Sequence, residues 1–443
     1  MQPAARLAAA LELLEAIETA MSARALPADV LTSNYFRARR YAGSKDRRAI
    51  SDMVYTILRG RGLYMWALES AGQGTIDARA LLIAYLAHTD SEALTLFGTD
   101  ARFAPAAISA DEEAQVAKLK ALDWSTAPAA ANANVPAWAQ PGFERRFGGA
   151  WQEIAAALCG HAPLDIRLNP LKAGNQKFQD KIKSALEGFE KTKLSPIGYR
   201  AEKHVNLGGS PAYRDGLVEV QDEAAQVASL LVEAGPGQQV VDLCAGAGGK
   251  SLLIAATMKG KGQVHACDIS GKRLSELKTR AKRAAAHNIQ PLKLPLEGEA
   301  RTQALAPLQG KADRVVLDVP CTGSGTWRRS PDQRWRFDKD SLTALRHTQE
   351  SLLHEGAGLV GPGGRLVYMT CSVLPEENED VIRHFLESPE GQGWQVLDYR
   401  AIWSNVMESP PPESLALMPE MLQLAPVPHE TDGFFVAILG RST

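Results

Sequence analysis

The 443-residue chain sets 49 lysines and arginines against 51 aspartates and glutamates, a net charge of −2, and is 45% hydrophobic and 23% charged. That composition excludes a disordered or collagen-like chain and suits two or three folded domains with substantial cores. Its five scattered cysteines, odd in number and without a CxxC pair, argue against a disulfide framework and a zinc site. No run of about 18 apolar residues is present to span a membrane, so a cytoplasmic enzyme is the default expectation.

The first stretch, MQPAARLAAALELLEAIETAM, carries Glu12, Glu15 and Glu18 and predicts an amphipathic helix, not a signal peptide. Helical spacing continues through KDRRAISDMVYTILRGRGLYMWAL, which predicts an all-α domain over residues 1–124. It holds a basic cluster of Arg37, Arg39, Arg40, Lys45, Arg47, Arg48, Arg59 and Arg61 against Asp46 and Asp52. A second cluster, from Lys259 to Lys293, contains nine basic residues against Asp268 and Glu276. Either cluster alone is ordinary for a solvated helix face; together they make a nucleic-acid partner plausible. STAPAAANANVPAW predicts a linker over 125–138. LDIRLNP, QKFQDKIKSALEGF and AEKHVNL then predict strand, helix and strand, a small α/β module over 139–210.

From residue 211 to 443 strands and helices alternate. QQVVDL, GQVHACD, ADRVVLDVP, GRLVYMTC and DGFFVAILG read as strands, and GKRLSELKTRAKRAAAHN as a basic helix. This rhythm predicts a Rossmann-like, doubly wound and mostly parallel sheet, with ligands at the carboxyl ends of its strands. The glycine loop DLCAGAGGKS admits three readings. A phosphate-binding P-loop would need glycine at position 244, which is Cys244, and the dinucleotide fingerprint lacks its third glycine at Ser251. The third ligand is S-adenosylmethionine: Asp242 precedes glycines that permit close backbone approach, a helix N-terminus follows, and Asp268 ends the next strand. Asp268 equally suits a dehydrogenase's ribose contact or a helix N-cap.

Cys321 in DVPCTGSGT and Cys371 in YMTCSVLPEEN both fall where a strand gives way to a loop. Small cysteines at strand ends are ordinary filler, but two at the expected ligand crevice suit a specific chemistry. Cytosine is a poor nucleophile at C5. A thiolate added to C6 makes C5 enamine-like and able to attack a methyl sulfonium, and loss of the C5 proton then expels the thiolate. Asp318, three residues before Cys321, is placed to hydrogen-bond the ring and favour that addition. The residues alone leave the two thiols unranked.

VVDLCAGAGGKS, DVPCTGSGTWRRSPDQRW and GGRLVYMTCSVLPEENE resemble, in order and spacing, the motifs of the RsmB/Sun family of RNA cytosine-C5 methyltransferases. RARRYAGSKDRRAISDMVYTILRGR is similar to the NusB-like domain of the bacterial members. VPAWAQPGFERRFG and PLDIRLNPLKA resemble the junction after it, so the resemblance covers nearly the whole chain. It implies a 16S rRNA substrate, an S-adenosyl-L-methionine cofactor and a monomer. Cys371 would be the nucleophile and Cys321 the thiol that assists release. Cys244, Ala245, Gly246, Ala247, Gly248, Gly249 and Lys250 would contact the cofactor, with Asp268 on its ribose, Asp318 at the edge of the active site and Arg273 nearby. The NusB-like domain would add RNA grip. The loop departs from the family's CAAPGGK, and NIQPLKLPLEGEA has no aspartate for the adenine, Glu297 being a rough positional match. The alternatives are a tRNA cytosine-C5 methyltransferase, a non-catalytic RNA-binding assembly factor and a P-loop ATPase.

Overall fold

A computed structural model describes residues 1–202, 205 and 207–441. They fall into two units, Met1–His161 with Thr326–Asp340, and Ala162–Gly325 with the chain from Ser341 onward.

The first unit is helical. Its opening helix, Pro3–Ser22, has proline in the first turn, where no backbone donor is lost, and buries Leu7, Leu14, Ile17 and Met21 at helical spacing. Helices Ala28–Ala38, Ser44–Arg59, Arg61–Ser70, Ala78–Thr89 and Ala110–Ala121 follow. The last starts with a capping box: Ser109 accepts from the Glu112 amide, and the Glu112 carboxylate accepts from the Ser109 amide. Leu13, Val54, Ile57, Leu82 and Ile83 are among the residues that fill the core.

The segment expected to be a linker is part of this unit. It holds a short helix, Ala129–Asn132, and Asn134 accepts from the Gly62 amide at 2.5 Å and donates to the Leu58 carbonyl at 3.4 Å. Alanine, proline and asparagine, read as linker composition, here serve helix packing and backbone capping. The unit also takes in Thr326–Asp340, the segment that follows the first cysteine motif. Within it, Arg334 is fully buried, donates to the carbonyls of Asn134 (2.7 Å) and Leu158 (3.0 Å), and lies 4.7 Å from the centre of the Trp327 ring. Phe143 stacks on Trp327 at 5.5 Å. WRRSPDQRW is thus a structural anchor.

The second unit contains two sheets. A small antiparallel sheet is formed by β1 (Leu164–Leu168), β2 (Glu190–Lys191), β3 (Gly198–Ala201) and β4 (Val218–Val220), in the order β2-β3-β1-β4. The strand expected over AEKHVNL is β3, which ends at Ala201; Lys203, His204 and Asn206 lie outside the described residues. This module and the main sheet fall in one unit. Buried Asp165 on β1 accepts two hydrogen bonds from Arg200, both 2.7 Å, and one from the Glu223 amide at 3.0 Å.

The main sheet is formed by β5 (Gln239–Asp242), β6 (Gln263–Asp268), β7 (Ile289–Lys293), β8 (Ala312–Asp318), β9 (Val360–Thr370), β10 (Trp394–Leu397), β11 (Leu422–Leu424) and β12 (Phe434–Arg441). Its order is β10-β12-β9-β8-β5-β6-β7, with β11 also on β12. Strands β5 to β9 pair in parallel, and β12 returns antiparallel to β9. The chain winds from β5 outward through β6 and β7, then resumes on the other side of β5 at β8. That reversal opens a crevice at the carboxyl ends of β5 and β8, where ligands of such sheets bind. The doubly wound, mostly parallel fold expected from the alternating pattern is the one observed.

Candidate active site

Three loops meet at this edge. The first follows β5. Gly246 and Gly248 have φ of 56° and 82°, which glycine adopts without strain. Gly248 also stands where a Cβ would come within 2.6 Å of the Leu277 side chain, whereas a Cβ on Gly246 would meet open space. Backbone at Gly246 is therefore open to a ligand. The Gly246 amide donates to Asp268 at 2.8 Å, and the loop runs into helix Gly249–Thr257. Gly248→Ala should destabilise the protein by about 1–3 kcal/mol through the left-handed backbone and the Leu277 clash. Chemical denaturation measures that loss, and calorimetry should show cofactor affinity falling at least roughly tenfold with it.

Asp242 supplies a group awaiting a partner. It is buried; one carboxylate oxygen accepts from the Ser251 hydroxyl at 2.6 Å, while Oδ1 has no hydrogen-bond partner. Burial pushes its carboxyl up from 3.8 to about 7, with Ser251 acting in the opposite direction. A folded-state value above the unfolded one means stability falls as pH rises from 3.8 towards about 7. Asp242→Asn should flatten that fall, which wild type and variant denaturation curves across the same window would show. Cys244 is held as a thiol, chiefly by burial, and then by the Asp242, Asp318 and Asp268 carboxylates.

The second loop follows β8. Asp318 pairs with Lys250 at 2.6 Å, and the Lys250 ammonium also sits 4.9 Å from the Phe434 ring centre. Burial disfavours the charged lysine, but Asp318, then Cys371 and Asp242, outweigh it and hold the ammonium protonated. The third loop follows β9. It brings the Cys371 sulfur to 3.4 Å from the Cys321 sulfur. Both cysteines are free thiols and partly exposed. The Cys321 thiol is pushed well up, first by its hydrogen bond to Cys371 and then by burial. Lys250 places positive charge near Cys371.

A carboxylate missed in the sequence holds both cysteine loops. Glu377 is completely buried. It accepts from the Thr322 amide (2.8 Å) and hydroxyl (2.5 Å), from the Ser372 hydroxyl (2.6 Å) and from Gln349 (3.0 Å). Thr322 and Ser372 each directly follow a cysteine of the pair. The Gly325 amide donates to the Cys371 carbonyl at 3.0 Å, and a Cβ on Gly325 would strike the Gly433 carbonyl. Two arginines were also missed: Arg280 donates to the Ala247 carbonyl (2.9 Å) and buried Arg167 to that of Gly249 (3.2 Å), pinning the glycine loop.

Asp268 ends β6, Arg273 follows in the next helix and Glu297 lies beyond β7. Asp268 accepts from the amides of Gly246 and Ser270, and Ser270, not Asp268, caps the next helix. Arg273 is exposed, and its backbone amide is what meets Ser270. Glu297 is exposed on the loop after β7. Ile269 and Leu296, at the carboxyl ends of β6 and β7, are exposed apolar side chains at 51% and 71%. Of the basic clusters, Arg61 pairs with Glu18, Arg39 with Glu12, and Arg280 and Arg283 with Glu219. Among the described residues no helix is long and apolar enough to cross a membrane.

Residues 229–440 match the family described as 16S rRNA methyltransferase RsmB/F. A probable ribosomal RNA small subunit methyltransferase B of Synechocystis is 33% identical over 69% of this chain and 67% of its own length. A ribosomal RNA small subunit methyltransferase B of Pseudomonas putida is 32% identical over 58% of each chain. The crystal structure of PH0851 superposes with a TM-score of 0.74 at 26% identity, over 100% of this chain and 99% of that one. A methyltransferase homologue from Pyrococcus horikoshii gives 0.58 at 25% identity, over 73% of this chain and 100% of that one. A doubly wound sheet with these loops at its switch point, and these relatives, define an RNA methyltransferase. The chain belongs to the RsmB/F family of 16S rRNA methyltransferases.

Proposed function

We propose that the protein transfers a methyl group from S-adenosyl-L-methionine to C5 of a cytosine in 16S rRNA, through a covalent bond between Cys371 and C6 of the base. The observation that carries this reading is the 3.4 Å pairing of Cys321 with Cys371, beside the Lys250–Asp318 ion pair. When bound, the cofactor supplies an electrophilic methyl group. The open backbone at Gly246, the unpartnered oxygen of Asp242 and the apolar faces of Ile269 and Leu296 fit its polar and adenine ends. Asp268, at the carboxyl end of β6, would meet the ribose.

Cys371 adds to C6 as a thiolate and activates C5, with the Lys250 ammonium nearby. Asp318 lies at the crevice to hydrogen-bond the ring during that addition. C5 takes the methyl group, the C5 proton is lost to solvent, and Cys371 leaves as a thiolate, with Cys321 assisting that release through a hydrogen bond to the departing sulfur. A base stacked in a helix hides both faces, so the target is read as unpaired or flipped out. The cytoplasm, where rRNA matures in bacteria, is the setting this reading implies.

The test is direct mapping of 5-methylcytosine in total RNA from cells with and without the protein. One 16S rRNA position should lose its methyl group. Loss confined to tRNA would select the tRNA enzyme instead, and no loss anywhere would select an assembly factor.

A further inference from the structure

Among the described residues, Tyr41 and Phe103 are the two aromatic side chains that stand well exposed, at 74% and 69%. Both line one groove of the helical unit, about 500 Å³ in volume, whose floor includes Ala5, Ala8 and Ala9 of the first helix and whose sides include Tyr35 and Arg102. The small alanines leave the floor flat. Phe103 has a φ of 66°, a left-handed backbone that a bulky side chain adopts at a cost. Its exposed ring buries too little for core packing to account for that conformation.

Charge narrows the occupant. Arg102 lies 4.9 Å from the Phe103 ring centre and Arg39 3.8 Å from that of Tyr35. Glu12, the acid beside the groove, accepts from Arg39 and from the Tyr35 hydroxyl, each at 2.9 Å. Exposed Arg40 immediately precedes Tyr41. An apolar peptide would use the rings but not the guanidinium groups beside them. An unpaired nucleotide uses both, its base against a ring and its phosphate against an arginine.

We propose that this groove binds unpaired nucleotides of the RNA substrate, with bases stacked on Tyr41 and Phe103 and phosphates met by Arg40 and Arg102. The inference rests on the RNA methyltransferase reading and adds a second RNA contact, in the helical unit. The opening basic cluster is partly spent on Glu12, Glu18 and Asp52, so the aromatic groove is the more specific grip.

The test uses the full chain and a fluorescent twelve-nucleotide single strand, with its duplex as comparison. Wild type should bind the single strand more tightly. Tyr41→Ala with Phe103→Gly should weaken that binding at least about tenfold, since each stacked base contributes measurably. Glycine suits the φ at position 103, so the thermal midpoint should hold. Tyr41→Phe should bind as wild type does. Equal affinity of wild type for strand and duplex, or unchanged binding by the double variant, would overturn the proposal; the latter would leave a protein partner as the occupant. Methyl transfer to saturating rRNA is read in parallel. Its absence in wild type would count against the proposed reaction, while the groove stands or falls on affinity alone.

Discussion

Cys371→Ala should abolish methyl transfer, lowering the rate by roughly 10⁴-fold or more, because without the thiolate C5 of cytosine has no route to nucleophilicity. Cys321→Ala should behave differently. Its loss removes the group that assists release, an effect of about 10²–10⁴-fold, and slows breakdown of the adduct more than its formation. Protein should then accumulate bound to RNA through Cys371. Single-turnover assays with radiolabelled cofactor, followed by denaturing electrophoresis, separate the two outcomes. The expected asymmetry follows from the proposed roles of the two thiols, which lie 3.4 Å apart with the Lys250 charge near Cys371.

The second large effect belongs to Glu377, which touches no reacting atom. Glu377→Ala would leave four donors, from Thr322, Ser372 and Gln349, without their acceptor in a buried site. The expected cost is about 3–5 kcal/mol of stability, read by chemical denaturation. Activity in the fraction that stays folded should also fall, because both cysteine loops lose the group that sets their spacing. Glu377→Gln keeps the shape but turns an amide NH₂ towards existing donors, so it should rescue only part of either loss. Burial raises the Glu377 carboxyl above its ordinary 4.5, against the pull of Ser372 and Thr322. Its contribution to stability therefore declines as pH rises above 4.5, and Glu377→Gln should lack that slope.

The main sheet was legible because its strands are short apolar runs set off by glycine and separated by helical spacing, as in QQVVDL, GQVHACD and RVVLD. The glycine loop and both cysteines were legible for a related reason: they sit where such runs end. What stayed hidden depends on distance along the chain. Glu377 in PEEN reads as an acid near the start of a helix, and only folding brings it to Thr322, 55 residues away. Arg167 sits in a strand of the small module, and nothing in LDIRLNP announces that its guanidinium meets Gly249, 82 residues on. The same holds for Arg334, whose partners Asn134 and Leu158 lie in the first unit. There the alanine-rich composition of 125–138 pointed to a linker because its burial depends on neighbours no local pattern reveals.

The most direct test of the central claim uses an rRNA fragment carrying 5-fluorocytidine at the target, with S-adenosylmethionine and the wild-type, Cys371→Ala or Cys321→Ala protein. Fluorine cannot leave as the C5 proton does, so an attacking thiolate stays bonded to the base. A denaturation-resistant protein–RNA band with wild type and Cys321→Ala, absent with Cys371→Ala, is the predicted result. A band that persists in Cys371→Ala and vanishes in Cys321→Ala would contradict it.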